Sequence, residues 1–191
     1  MSEISANGPY LTGQLLIAMP GMRDERFVKT VIYMCAHTEE GAMGLVLNQR
    51  LESLTFTELM SQLDLDENHA PENVPVHFGG PVEAGRGFVL HTSDYQQDAT
   101  LEVEKGVALT ATVDILKAIA KGHGPRKSLL ALGYAGWGPG QLDMEIRANG
   151  WLQVPSDSEL IFDTDVDTKW ERAIQRLGID PRMLSEEMGH A

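Results

Sequence analysis

Two glycine-rich stretches carry the residues best suited to chemistry. His77-Phe78-Gly79-Gly80-Pro81 sets a histidine and an aromatic ring beside a double glycine, and the stretch from Gly133 to Gly140 contains Tyr134 and Trp137. Glycine lets the backbone approach a ligand or another backbone closely. Each stretch follows an apolar run typical of a strand, and binding residues tend to occupy the loops that follow strands on a rigid scaffold.

If the two preceding strands belong to one sheet, the stretches lie near each other and form a small concave site. Gln141 and Glu145 would add polar groups from the first turns of the next helix. The candidate binding residues are therefore His77, Phe78, Gly79, Gly80, Tyr134, Trp137, Gln141 and Glu145. A structural interpretation stays open for both stretches, because tight turns and close packing also require glycine. Trp137 is equally compatible with a recognition surface and with the core.

Common catalytic and cofactor-binding motifs are absent from the sequence. It contains no G-x-S-x-G, H-E-x-x-H or G-x-x-x-x-G-K-[ST] pattern and no paired cysteines. Gly136 to Gly140 begins like a dinucleotide fingerprint, but Gln141 stands where a glycine belongs. The run Asp163 to Asp167 resembles the start of a calcium loop, yet Thr168 replaces the turn glycine, and helix capping explains the acids better. We predict no catalytic residue, no metal site and no cofactor.

The formal net charge is −13, and the acidic residues are concentrated in two blocks. Residues 60–104 carry nine acids and one base, and residues 156–191 carry nine acids and four bases. Nucleic-acid affinity depends mainly on Lys and Arg side chains that neutralise phosphates, so we expect no direct nucleic-acid binding. The simplest interpretation of the charge is solubility, and a basic partner is the alternative.

The composition is that of an ordinary globular protein, with 42% hydrophobic and 23% charged residues among 191. Its longest apolar runs are far too short to cross a bilayer, and the N-terminus lacks the basic segment of a signal peptide. The single cysteine, Cys35, cannot form an internal disulfide, which is typical of a reducing compartment. We expect a cytoplasmic protein without membrane association, in which Cys35 is buried and unreactive.

Hydrophobic periodicity predicts a chain richer in strands than in helices. Strands are expected at 11–18, 29–37, 43–48, 74–78, 87–91, 107–110, 128–134, 151–154 and 159–162. Helices are expected at about 55–63, 113–121, 141–148 and 166–177, with a short turn at Asp180-Pro181. Because the strands cluster, an α+β fold is favoured over a doubly wound one. We expect one domain over residues 1–191, with a core at about 9–178 and a short C-terminal tail.

Three ordered motifs make the chain similar to the YqgE/AlgH family. They are Gly13 to Pro20 with its continuation to Asn48, then Phe78 to Val82, and Gly133 to Leu142 with Trp151-Leu152. Thr30, where members often have Ser, is a mild departure. The resemblance implies a single compact α+β domain with a bent, partly barrel-like, mainly antiparallel sheet flanked by helices, and a bacterial cytoplasmic origin. It implies no catalytic residues, although some members are described as presumed transcriptional regulators of alginate synthesis.

Two functional hypotheses follow. The first is a non-enzymatic interaction or regulatory protein that binds a partner through the loops around Gly79 and Trp137 and affects gene expression indirectly. The second is an enzyme or a small-ligand-binding protein whose pocket is formed by the same loops. The absent catalytic motifs favour the first hypothesis, and the glycine-rich loops are the best argument for the second. The expected partner is thus an unidentified protein or a small ligand.

Overall fold

A computed structural model describes residues 10–66, 71 and 74–180 of the chain. The helical turn expected at Asp180-Pro181 falls outside this part, apart from Asp180 itself. Within it, nine strands form one sheet in the order β6-β7-β5-β8-β3-β2-β1-β9, and β4 also pairs with β8. The strands are β1 (Gln14–Ala18), β2 (Val31–Thr38), β3 (Gly41–Val46), β4 (Val76–Phe78), β5 (Val82–Thr92), β6 (Leu101–Glu104), β7 (Val107–Thr110), β8 (Ser128–Trp137) and β9 (Trp151–Pro155). Strands β4 and β8 pair in parallel, and the other pairs are antiparallel.

The helices flank this sheet. They are α1 (Phe56–Gln62), α2 (Val113–Ala120), α3 (Gln141–Arg147) and α4 (Lys169–Gln175), with a 3-10 turn at Glu25–Phe27 and a π-helix at Glu159–Asp163. The capping box expected before α1 is confirmed, because the Glu58 N–H donates to the Thr55 hydroxyl at 3.1 Å and the Glu58 carboxylate accepts from the Thr55 N–H. Together these elements confirm the expected α+β fold.

The sheet curls until its two end strands approach each other. Glu104, at the end of β6, accepts hydrogen bonds from the Tyr33 hydroxyl at 2.5 Å and from the Ser156 hydroxyl, just after β9, at 2.9 Å. Burial raises the pKa of Tyr33, so its hydroxyl keeps the proton that it donates. The result is a half-barrel, which confirms the bent, partly barrel-like sheet.

Three groups of buried side chains hold the half-barrel together. Its interior is filled from the strands and closed by the π-helix and α4, through Ile161, Trp170 and Ile174. On the outer face, α3 covers one half of the sheet beside Trp137 and Trp151. The helices α1 and α2 cover the other half. Cys35 lies buried within the interior group, as expected, and burial raises the pKa of its thiol to about 12.

Some local expectations are wrong. The strand expected at 159–162 is a π-helix, in which the neighbouring residues Leu160 and Ile161 are both buried, whereas a strand would turn one of them outward. The last helix begins at Lys169 instead of 166. Strand β8 continues to Trp137 instead of ending at Tyr134, and β6 was not expected. Within the described residues, no helix is both long and apolar enough to cross a membrane.

Candidate functional site

The glycines of the two sequence stretches meet where β4 leaves its partner strand β8. The Gly79 N–H donates to the Leu132 carbonyl at 2.7 Å, and the Gly79 carbonyl accepts from the Val46 N–H at 2.9 Å. A Cβ atom on Gly80 would lie 2.0 Å from the Tyr134 carbonyl carbon, and one on Gly133 would lie 2.3 Å from the Gly80 oxygen. Gly80 also has φ +153° and Gly133 φ +77°. These glycines are therefore required for backbone packing.

The contact of Gly79 and Gly80 with Gly133 and Tyr134 is called the glycine crossing below. A groove opens at the end of the half-barrel next to it. Its volume is about 680 Å³, and its lining comes from β2, β3, β5, β6, β7 and β8 and from the turns beside them. The apolar side chains that line it are Ala36, Ala42, Met43, Val82, Phe88, Ala99, Leu101, Leu109, Ala111, Tyr134 and Trp137. The charged lining residues are Glu40, Glu83 and Arg86. The groove is open to solvent and is not an enclosed pocket.

Two aromatic rings and one arginine side chain lie against each other in this groove. The rings of Tyr134 and Phe88 meet edge to face with centroids 5.8 Å apart, and the Arg86 guanidinium lies 5.1 Å from the Phe88 centroid. Arg86 also lies 3.7 Å from the Glu83 carboxylate, in an exposed ion pair. Leu101 is 52% exposed beside them. Phe88 is 4% exposed and Tyr134 is half-buried, so Leu101 is the most exposed of these three apolar side chains.

Trp137 forms one end of the groove but belongs to the core. It is 7% exposed and meets Trp151 at a centroid distance of 6.0 Å. The indole N–H groups of Trp137 and Trp151 both donate to Glu145 Oε1, at 3.0 and 2.9 Å. The Gln141 amide donates to the other carboxylate oxygen of Glu145 at 2.8 Å. Glu145 therefore holds the two indoles in place, and Gln141 holds Glu145. Both residues have a structural role in this arrangement.

His77 lies away from the groove, in a cleft of about 330 Å³ near the start of β8. Its ring nitrogen Nδ1 lies 3.0 Å from the Leu130 carbonyl oxygen. Burial lowers the pKa of His77 to about 4, so the imidazole is neutral near pH 7. Phe78 is half-buried, and its backbone N–H donates to the Gln49 carbonyl at 2.8 Å.

The eight sequence candidates thus fall into three places. Phe78, Gly79, Gly80 and Tyr134 come together at the glycine crossing, as the idea of adjacent loops predicts. Trp137, Gln141 and Glu145 form a second cluster beside α3, and His77 lies in the separate cleft. That any of them binds a ligand stays a prediction. Within the described residues, no group of three or more His, Cys, Asp or Glu side chains is placed to hold a metal ion.

Sequence reasoning missed Phe88, Arg86 and Leu101 in the groove. Arg86 and Phe88 lie two residues apart on β5, and this spacing of two places side chains on one face of a strand. That signal was available in the sequence. Leu101 had no comparable signal, because its contribution depends on β6 pairing with β7 at Leu109.

Comparison with known proteins agrees with this architecture. The DUF179 model, described as AlgH-like, matches residues 15–182. A UPF0301 protein of Rhodospirillum rubrum is 59% identical over 95% of both chains, and one of Rhodopseudomonas palustris is 57% identical over 95% of this chain and 89% of its own. The solution structure of the AlgH protein from Pseudomonas aeruginosa matches with a TM-score of 0.79 and 42% identity, over 93% of this chain and 94% of that one. A crystal structure from Corynebacterium diphtheriae shares the fold, with a TM-score of 0.74 and 20% identity over 93% of both chains.

The match to the family model, the two close relatives and the shared fold lead to one conclusion. The chain belongs to the AlgH-like family, which is the YqgE/AlgH family that its three sequence motifs resemble.

Proposed function

We propose that the chain is a non-enzymatic interaction protein that binds an extended segment of a partner protein in the groove. The observation that carries this proposal is the open, mainly apolar lining of the groove, with exposed Leu101 beside the Phe88 and Tyr134 rings. Exposed apolar surface of this kind is typical of interaction sites. The segment that fits it has apolar side chains as anchors.

Charge adds a second requirement for the segment. Two of the three charged residues lining the groove, Glu40 and Glu83, are acidic, and Arg86 is already paired with Glu83. The chain as a whole carries a net charge of −13. Complementary charges speed association and exclude partners of the wrong sign. A Lys or Arg side chain flanking the apolar anchors therefore completes the segment that we propose.

The shape of the groove favours a polypeptide over a small molecule. A pocket for a small ligand buries most of the ligand surface, and a groove open to solvent leaves one side of its occupant exposed. An extended chain tolerates that exposure, because its side chains alternate between the two faces. Binding of a small amphipathic ligand by the same residues is the competing function.

We place this interaction in the bacterial cytoplasm, which is consistent with a single cysteine that cannot form an internal disulfide. An effect on gene expression would then be indirect, through the bound partner. The acidic surface supports this, because it repels the phosphates that a direct regulator must bind.

A selection from a library of short random peptides on the immobilised protein tests the proposal. We expect the selected peptides to combine apolar residues with Lys or Arg. Their binding to Leu101→Asp should weaken by about tenfold or more, because the substitution places a carboxylate among the apolar anchors. Affinity should also fall as salt increases.

Met144→Asp is the matched control. Met144 is 62% exposed on α3 and does not line the groove, so the same change of charge there should leave peptide affinity unchanged. Equal weakening by the two substitutions, or selected peptides without basic residues, would contradict the proposal. A small molecule that co-purifies with the protein and is lost in Leu101→Asp would favour the competing function.

A further inference from the structure

The cleft around His77 holds three nitrogen-bearing side chains from three separate segments. Arg50 follows β3, His77 lies on β4 and Lys169 begins α4. Val74, Pro75, Leu129, Leu130, Phe162 and Val166 add apolar walls to the cleft. We propose that this cleft is a binding site for a small oxyanion that also carries a hydroxyl group, such as hydrogen phosphate, a phosphate monoester or a hydroxycarboxylate.

The backbone brings Arg50 and His77 onto the same face. The two residues form an isolated antiparallel bridge, and side chains of directly opposed residues project to one side. The Arg50 side chain is exposed and has no carboxylate within ion-pair distance in the described part of the chain. A guanidinium in this position offers a planar pair of donors to the oxygens of a phosphate or a carboxylate.

Lys169 supplies a second cation from the start of α4. Its side chain is 1% exposed, and its ammonium donates to the Ile161 carbonyl at 2.9 Å. An ammonium has three donors, and this carbonyl accepts one of them. Charge buried among apolar walls is costly, and a bound anion would offset that cost.

His77 is the reason why the proposed ligand carries a hydroxyl group. Its side chain is 6% exposed, and Nδ1 must carry the proton because the Leu130 carbonyl can only accept. In the neutral ring Nε2 is then an acceptor. No hydrogen bond joins Nε2 to any described residue, and His77 lines the cleft. Because no buried side-chain N or O atom of the described residues lacks a hydrogen-bond partner, Nε2 is open to solvent in the cleft. A hydroxyl group of the ligand would donate to it in place of solvent.

Two carboxylates also line the cleft. Asp163 is paired with Lys127 at 2.5 Å, so its charge is largely balanced. Burial lowers the pKa of Lys169 to about 8, although Asp163 and Asp165 both act to raise it. Arg50 and Lys169 equal these two acids in number among the described lining residues, and Lys127, which lies outside the lining, offsets Asp163. In a chain of net charge −13, the described lining of the cleft therefore carries no excess of negative charge that would repel an anion.

Matched pairs of probes test the proposal in the full-length protein. Inorganic phosphate is compared with sulfate, and glycolate with acetate, because the second member of each pair lacks the hydroxyl. The readout is the ¹⁵N chemical shift of the His77 ring in isotope-labelled protein at constant ionic strength. We expect phosphate and glycolate to shift Nε2 in a saturable manner and to bind at least about tenfold more tightly than their partners, since a bound ligand without the hydroxyl would cover Nε2 and leave it without a donor.

Arg50→Ala should weaken binding of phosphate and glycolate by about tenfold or more, because it removes a charge-assisted contact. Its matched control is Arg147→Ala, an exposed arginine on α3 that does not line the cleft and should leave binding unchanged. Equal binding within each probe pair would overturn the hydroxyl requirement and with it the proposal. The same result follows if Arg50→Ala binds phosphate like the native protein. Tighter binding of phosphate than of glycolate would identify a phosphate compound as the source of the anion.

Discussion

The groove and the cleft lie at opposite ends of the same strand, and they differ in size, in polarity and in charge. Tyr134 and Trp137, near the end of β8, line the open groove, whereas Ser128 and Leu130, near its start, line the narrower cleft. The groove presents apolar side chains with acidic neighbours to solvent. The cleft is lined by the nitrogen-bearing side chains of Arg50, His77 and Lys169, of which His77 and Lys169 are buried.

One sheet thus separates the two regions for which binding is proposed, because they lie at opposite ends of β8. The proposed binding in the groove depends on apolar contact, above all with Leu101, which is 52% exposed, and on the charges at the rim. The proposed binding in the cleft depends on polar groups that a ligand would cover, so a ligand that fails to pair with them would bind weakly. A substitution in one region should therefore leave the other unchanged, unless it disrupts the glycine crossing between them.

The largest expected effect comes from breaking that crossing. Gly80→Ala places a Cβ atom 2.0 Å from the backbone of Tyr134, and neither backbone can move without breaking strand pairing. We expect a loss of more than about 4 kcal/mol of unfolding free energy, or no folded protein, with both regions lost together. Urea unfolding of the purified variant measures this loss.

Gly122→Ala is the matched control for that substitution. Gly122 has φ +80°, but no atom of the described residues other than its chain neighbours lies within 4 Å of the position that a Cβ would take, so the change adds backbone strain without a clash. A cost of about 1 kcal/mol is expected there. If Gly80→Ala is no more costly than Gly122→Ala, the glycine crossing does not have the role assigned to it.

The next largest effect concerns the groove. Trp137→Ala removes a side chain that is nearly fully buried against Trp151 and leaves the Glu145 carboxylate short of one donor. A loss of about 3 to 5 kcal/mol is expected. Thermal and urea unfolding check it, with Met144→Ala as a surface control expected to change stability by less than about 0.5 kcal/mol. A stable Trp137→Ala protein would show that the indole belongs to the recognition surface instead of the core.

A smaller effect distinguishes the cleft from the groove. The unfolding free energy should depend on pH through His77 in the cleft. Burial lowers the pKa of His77 from 6.5 to about 4, and lowers those of His37 and His91 as well. The unfolded chain therefore binds protons that the folded chain excludes, so stability is full above about pH 6.5 and falls as the pH drops toward 4. His77 contributes up to about 3 kcal/mol to this loss.

Urea unfolding at a series of pH values measures the dependence. His77→Gln keeps a donor for the Leu130 carbonyl and should flatten the decline between pH 6.5 and 4. Arg86→Gln, in the groove, should leave the decline as it is in the native protein. If His77→Gln retains the full decline, the buried imidazole is not its source.

Much of the fold could be predicted from sequence where the signal is local. The capping box of Thr55 and Glu58 marked α1, and the apolar run around Cys35 marked a buried strand. Local patterns failed at residues 159–162, because a short apolar run has the same appearance in a strand and in a tightly wound helix. Local patterns also predicted an end of β8 before Trp137, because glycines such as Gly133 and Gly136 usually indicate a turn. In the structure these two glycines allow close packing against Gly80 and β5.

The candidate site was predicted less well, because its parts meet through long-range pairing. The glycine crossing follows from the pairing of β4 with β8, between residues more than 50 positions apart. Sequence reasoning did single out His77, but its neighbours Arg50 and Lys169 come from segments with no shared motif. Nothing in the local sequence indicated that these three side chains would converge.

Amide chemical shifts test most directly whether the groove binds an apolar and basic segment. Two peptides with the same apolar residues, one containing Arg and the other Glu, are titrated into ¹⁵N-labelled protein. We predict that the Arg peptide shifts the amides of groove residues such as Met43, Val82 and Leu101 while leaving His77 and Lys169 unaffected, and that the Glu peptide binds at least about tenfold more weakly. Shifts centred outside the groove, or equal binding of the two peptides, would contradict this prediction.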